Sequence, residues 1–187
     1  MMQKLWQKKL KLNYSRNVID IVQFGSSVIE DKEARDMDIA VIFQKIPLKE
    51  QLEEAQKIKK QLEKESSKEI HVSSFDLYSL FDKSNFARDG IIFYGLSLLS
   101  GESFSKRLGF ASKLQIIYSL EKLKKKDKVR FHYMLRGKKG KYGLLREYGG
   151  KLVNPGVIEI SPQYEELFVN NIKEFISDFN VRKVLIQ

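Results

Sequence analysis

Residues 18–43 read VIDIVQFGSSVIEDKEARDMDIAVIF. The first seven, VIDIVQF, are short, apolar and β-branched, the composition of a strand. Gly25 and Ser26 break that run, with Ser27 beside them. Residues 26–34 can form a short helix, and MDIAVIF (37–43) reads as a second strand. Asp36 and Asp38 stand at i and i+2 where this strand begins. Alternate side chains on a strand share a face, so both carboxylates project together and Met37 and Ile39 point the other way. Two adjacent hard oxygen ligands suit Mg²⁺, which binds through one or two carboxylates plus substrate phosphates. A Gly-Ser turn can offer backbone N–H groups and a hydroxyl to phosphate oxygens.

Downstream, Pro47 interrupts the chain. Leu48, Leu52, Ala55, Ile58 and Leu62 then recur at helical spacing between charges, which predicts an amphipathic helix packed on the sheet. Residues 70–77 predict a strand carrying Asp76, flanked by Phe75 and Leu77. Glu69 and Asp82 are the other acids in or near this segment. His71 and Asp76 differ in parity, so a regular strand turns them to opposite faces; His71 is expected to be structural. GIIFYG (90–95) predicts another strand, and Ser100-Gly101-Glu102-Ser103 a linker.

Strand, Gly-Ser, short helix, then Asp-x-Asp on the next strand resembles the nucleotidyltransferase core of the polymerase-beta superfamily, in its small stand-alone form. The likeness covers roughly residues 1–105. It implies a small mixed sheet flanked by helices, an α/β (α+β) fold. It also implies transfer of a nucleoside monophosphate from an NTP to an acceptor hydroxyl with release of pyrophosphate. The likeness implies a third acid on a later strand between apolar residues, which Asp76 supplies, with Glu69 and Asp82 as its rivals. In that reading Asp36, Asp38 and Asp76 hold two Mg²⁺ ions, with Mn²⁺ as a substitute, and Asp76 can act as base. Gly25, Ser26 and Ser27 seat the triphosphate, and Lys32 and Arg35 are further candidates to touch it.

Charge divides the chain. Residues 1–105 contain 16 basic and 16 acidic residues, whereas 106–187 contain 18 and 8 and carry the whole formal excess of +10. The excess is concentrated in 106–151, with 15 basic residues against 3 acidic. This predicts two domains, 1–105 and 106–187, the second a small basic α/β unit. Its cations suit a polyanion such as RNA or DNA. Lys124, Lys125, Lys126 and Arg130 lie in a predicted helix from Leu108 to about Met134. Arg136, Lys138, Lys139 and Lys141 lie in or beside RGKKGKYG (136–143). That Gly-x-x-Gly reads as a basic loop rather than a KH clamp, because Gly143 falls where an apolar residue is needed. Among the aromatics nearby, Phe131 and Tyr133 sit two apart and cannot share one helix face. Tyr164, Leu167, Phe168, Ile172, Phe175, Ile176 and Phe179 mark a helical face between strand-like VIEI (157–160) and VRKVLI (181–186).

The absence of cysteine excludes disulfides and thiol chemistry, and with only two histidines it argues against a structural zinc site. There is no P-loop and no dinucleotide-binding glycine pattern. No apolar run approaches the ~20 residues a membrane span requires, and the basic N-terminus lacks the features of a secretory signal. The expectation is a cytoplasmic protein. Its acceptor is expected to be nucleic acid; the alternatives are a partner protein, adenylylated as antitoxins of this superfamily do, or a non-catalytic nucleic-acid-binding regulator.

Overall fold

The computed structural model describes residues 10–29, 34–138 and 141–187. The protein is a mixed α/β chain in two compact units, Met1–Phe110 and Ala111–Gln187.

Unit 1 is built on a four-stranded mixed sheet of order β3-β2-β1-β4. Strands β1 (Val18–Phe24) and β2 (Asp36–Phe43) run antiparallel, and β2 pairs in parallel with β3 (Glu69–Asp76). The parallel crossover is made by helix α1 (Leu48–Glu65). The short β4 (Leu96–Ser97) closes the other edge against β1. From Ile39 to Phe43 strand β2 is apolar and fully buried, because both faces of the sheet are covered there. On one face Ile21, Met37, Ile39 and Val41 meet Ala55, Ile58 and Leu62 of α1. On the other, Val22, Ala40 and Ile42 meet Leu80, Ile91 and Phe104.

The first turn of α1 departs from its apolar stripe. Leu48 and Leu52 are 63% and 52% exposed, and Gln51 is buried in their place. Its amide nitrogen donates to the Ile46 carbonyl at 3.0 Å, which satisfies part of the buried side chain at the helix entry. Residues 90–95 do not form the predicted strand. Gly90–Tyr94 is a π-helical turn that buries Ile91 and Ile92. Ser100–Ser103 is not a linker either. Ser97 N–H donates to the Glu102 carbonyl, and the turn delivers α3 (Phe104–Arg107), whose Phe104 is buried in unit 1. The division therefore falls at Phe110, not at residue 105.

A buried polar cluster ties these last elements to β1. Asp20 is fully buried; its Oδ1 accepts from Ser97 Oγ at 2.7 Å and from Ile21 N–H at 2.8 Å. Arg107 Nε lies 3.3 Å from its Oδ2. Burial, the dominant influence, raises the Asp20 pKa; these hydrogen bonds and the Arg107 charge oppose it.

Unit 2 holds an antiparallel sheet of order β10-β5-β9-β8. The predicted helix beginning at Leu108 is instead strand β5 (Ala111–Tyr118) followed, after a turn, by α4 (Lys125–Arg136). ASKLQIIY satisfies a period of two as well as a helical one, and Ser112, Leu114, Ile116 and Tyr118 all point into the core. β5 is central, flanked by β9 (Val157–Ile160) and β10 (Phe179–Ile186). β8 (Lys151–Asn154) forms the far edge. Phe131 and Leu135 of α4 and Phe168 and Ile172 of α6 (Glu165–Lys173) cover one face. Between α4 and β8 lie a small hairpin, β6 (Gly137–Lys138) with β7 (Lys141–Tyr142), and the single turn α5 (Leu144–Glu147).

Among the described residues no helix is long and apolar enough to cross a membrane.

Candidate functional site

The acid pair lies where the two strands of the first motif come together. Phe24, the last residue of β1, pairs with Asp38. Gly25 follows with φ +73°, a conformation that costs an L-residue with a side chain about 1–2 kcal/mol. Gly25 is needed for space as well: a Cβ there would lie 2.4 Å from Asp38 Oδ2. The backbone of the turn and the Asp38 carboxylate are thus in close contact.

Asp36 and Asp38 share a face, as their spacing predicts, and each side chain is somewhat over one-third exposed (40% and 36%). It is the face of Ala40 and Ile42, so the pair sits at the open margin of the second core layer. The Asp38 pKa is raised, first by burial and then by the Asp36 charge, with His71 opposing. Two carboxylates held this way favour a cation that neutralises both.

The third position is not Asp76. In the parallel β2–β3 register Asp36 lies opposite Glu69 and Asp38 opposite His71, whereas Asp76 lies opposite Phe43 at the far end. Five residues of strand separate His71 from Asp76, about 16 Å at 3.3 Å per residue. Asp76 also has the opposite parity, and its carboxylate is engaged locally. It caps α2 (Leu77–Phe81), accepting from Ser79 N–H at 2.7 Å and Ser79 Oγ at 2.9 Å. Those hydrogen bonds hold its pKa below the usual carboxylate value. The assignment of Asp76 as metal ligand and base is therefore corrected; His71, expected to be structural, is the β3 residue that lies beside the pair. His71 Nδ1 stands 3.8 Å from Asp36 Oδ2 and 4.0 Å from Asp38 Oδ1, and its Nε2 stands 3.2 Å from Glu69 Oε1. Asp82 is no substitute; it accepts from Ser84 in a loop beyond α2.

The Gly-Ser turn forms a 3₁₀ turn, Gly25–Val28, and Ile29 is extended; residues 30–33 of the helix expected over 26–34 lie outside the described residues. Ser27 is buried and committed to the fold: its Oγ donates to the Phe24 carbonyl at 3.0 Å and accepts from Gln23 Nε2 at 3.1 Å. This corrects its assignment as a phosphate contact and leaves Gly25 and the half-buried Ser26. Arg35 is exposed and immediately precedes the strand; Lys32 lies outside the described residues. Lys68, not foreseen, brings a second cation near the start of β2, its ammonium donating to the Ala34 carbonyl at 2.7 Å.

As they stand, no three His, Cys, Asp or Glu side chains among the described residues are arranged to hold a metal ion. The donors at this site fit one cation carried by Asp36 and Asp38 and completed by ligand oxygens, a common arrangement for Mg²⁺. They do not fit two ions bridged by a third carboxylate from Asp76.

In unit 2, Lys124, Lys125, Lys126, Arg136, Lys138 and Lys141 are exposed, and Lys139 lies outside the described residues. Arg130 is partly occupied, 3.4 Å from Asp127 and over the Phe175 ring at 5.7 Å. No known family, curated protein or solved structure matches the chain.

Proposed function

We propose that unit 1 is a divalent-cation-dependent nucleotidyltransferase, working in the cytoplasm, that moves a nucleoside monophosphate from an NTP to an acceptor hydroxyl on nucleic acid. The observation that carries this reading is the packing of Gly25 against Asp38, with Asp36 alongside. In this reading the turn would bind phosphate and the two carboxylates the cation, within one turn of each other.

The chemistry asks mainly for positioning and charge neutralisation. Asp36 and Asp38 would hold Mg²⁺ or Mn²⁺, which supplies positive charge to the triphosphate. Gly25 N–H and Ser26 Oγ are placed to receive phosphate oxygens, with Arg35 a further contact. The acceptor oxygen forms its bond to the α-phosphorus as the α–β bridging bond breaks and pyrophosphate leaves. The acceptor's proton needs a base, and His71, beside both carboxylates, replaces Asp76 in that role.

A test is incubation of the protein with each α-labelled NTP, Mg²⁺ or Mn²⁺, and separate pools of RNA and protein. Label in RNA that is lost with Asp36→Asn supports the reading; label in protein points to adenylylation of a partner. A second reading is favoured by His71 itself. With imidazole where the resemblance implies a carboxylate, unit 1 could bind nucleotide without transferring it. Saturable nucleotide binding with no label moved in either pool would establish that alternative.

A further inference from the structure

The α4–hairpin–α5 segment of unit 2 presents two aromatic rings with cations against them. The Arg146 guanidinium lies 4.1 Å from the Tyr142 ring centre, and the Lys138 ammonium 5.4 Å from that of Tyr133. Neither ring is core. Tyr142 is 66% exposed and Tyr133 46%, whereas Phe131, two residues before Tyr133, is fully buried. Arg146 covers one side of Tyr142, so most of what is exposed lies elsewhere on the ring.

The described ends of the hairpin are packed against the end of α4. Gly137 caps α4 with φ +86°, and its N–H donates to the Tyr133 carbonyl. A Cβ on Gly137 would lie 2.2 Å from the Lys141 carbonyl oxygen, and one on Gly143 would lie 2.3 Å from Gly137 N. The end of α4 and both strands of the hairpin therefore touch backbone to backbone, and Tyr142 pairs with Gly137 across it. The surroundings are of one sign: residues 128–146 contain seven Lys and Arg and no Asp or Glu, with Glu147 just beyond.

We propose that this surface docks single-stranded nucleic acid, with bases stacked on Tyr142 and Tyr133 and phosphates on Arg136, Lys138, Lys141 and Arg146. The charge selects a polyanion, and the exposed rings select among polyanions. A duplex turns its base faces inward and offers these rings nothing but phosphate, whereas an unpaired strand offers both. An acidic polypeptide would use the lysines and leave the tyrosines idle. The proposal extends the nucleic-acid acceptor suggested for unit 1 to a definite place and strand form. Binding here does not depend on transfer.

The experiment uses the full chain carrying Asp38→Asn, so that transfer and docking are separated. Fluorescence anisotropy compares a labelled oligouridylate, an oligothymidylate and a duplex of equal length over a range of salt. Either single strand should bind at least about tenfold tighter than the duplex. Tyr142→Leu should cost roughly tenfold for the single strand and leave the duplex unchanged; Tyr133→Leu, a second exposed site, should act the same way. Lys141→Gln should weaken both and flatten the single-strand salt slope by about 0.7. Equal affinity for duplex and single strand, indifference to both tyrosine changes, or equal competition by polyglutamate would overturn the proposal. If the wild-type chain moves no label from any NTP while the Asp38→Asn chain docks single strands as described, the reading of unit 1 alone falls.

Discussion

Oδ2 of Asp38 occupies the space that a side chain on Gly25 would need, the would-be Cβ falling 2.4 Å away. A phosphate group bound by this turn would rest beside the carboxylate that holds its cation, which is the geometry the proposed reaction requires. Gly25→Ala introduces both an αL penalty of about 1–2 kcal/mol and a clash with the acid. The expected outcome is a folded but less stable protein with nucleotide affinity reduced at least tenfold, read by thermal melting and by equilibrium binding of a labelled NTP.

Asp38→Asn should separate stability from function. The Asp38 pKa is raised by burial and by Asp36. An acid raised in the fold is most favourable while protonated, so its contribution is present below the unfolded value and is lost as pH rises through the folded one. The amide removes this cost at neutral pH. Divalent-cation binding should disappear while stability at pH 7 rises slightly, by about 0.5 kcal/mol for so exposed a pair. The gain should vanish in acid, which urea melts across the carboxylate pH range would reveal.

His71→Asp supplies the third carboxylate that β3 lacks at this point of the register. Mg²⁺ prefers oxygen ligands, and imidazole suits the later transition metals. The substitution should tighten Mg²⁺ binding several-fold and weaken preference for Mn²⁺ over Mg²⁺, measured by calorimetry and by Mn²⁺ electron paramagnetic resonance. No change in either ion's affinity would remove His71 from the site.

Asp76→Ala distinguishes the corrected assignment from the original one. It should cost about 1 kcal/mol as the loss of a helix cap and leave cation and nucleotide affinity untouched. Asp76 is held below its ordinary pKa, so the wild-type advantage exists above the unfolded value and fades as pH falls through the folded one. Abolished nucleotide binding in this variant would restore Asp76 to the site.

Arg107→Ala leaves the buried Asp20 carboxylate without its ion partner. Arg107 is itself 42% exposed, so solvent screening limits the cost to about 1 kcal/mol, and denaturant melts should show it at neutral pH. Because Asp20 titrates above the ordinary carboxylate value, the penalty should shrink as acid protonates it.

Most of unit 1 was legible because its signals are local. β-branched runs, a glycine turn and a helical stripe each act over a few residues, and β1, β2, α1 and β3 all form close to where these predict. What was illegible depends on register. Nothing local tells which residue of β3 lies beside Asp38, and a choice made by residue type alone selected an acid at the wrong end. Counting from the strand starts, with Glu69 opposite Asp36, leads to His71. The β5 segment failed differently: Leu114, Ile117 and Tyr118 satisfy a helical spacing, and pairing with β9 and β10 decides between the two periods. The basic character of residues 124–141 was legible in the charge, but the hairpin that replaces the expected loop, and which tyrosines stand outside the core, were not.

The pairing of Ala111–Tyr118 with Phe179–Ile186 bears on how the protein is made. On the ribosome, at ~5–20 residues per second, unit 1 can complete its sheet while most of unit 2 is still being translated. The central strand of unit 2 must then wait, one edge unclaimed, until residue 186 clears the exit tunnel. During that interval the nascent chain carries an apolar β-segment open to pairing with neighbouring chains, so chaperone dependence in synthesis is expected of unit 2 rather than unit 1.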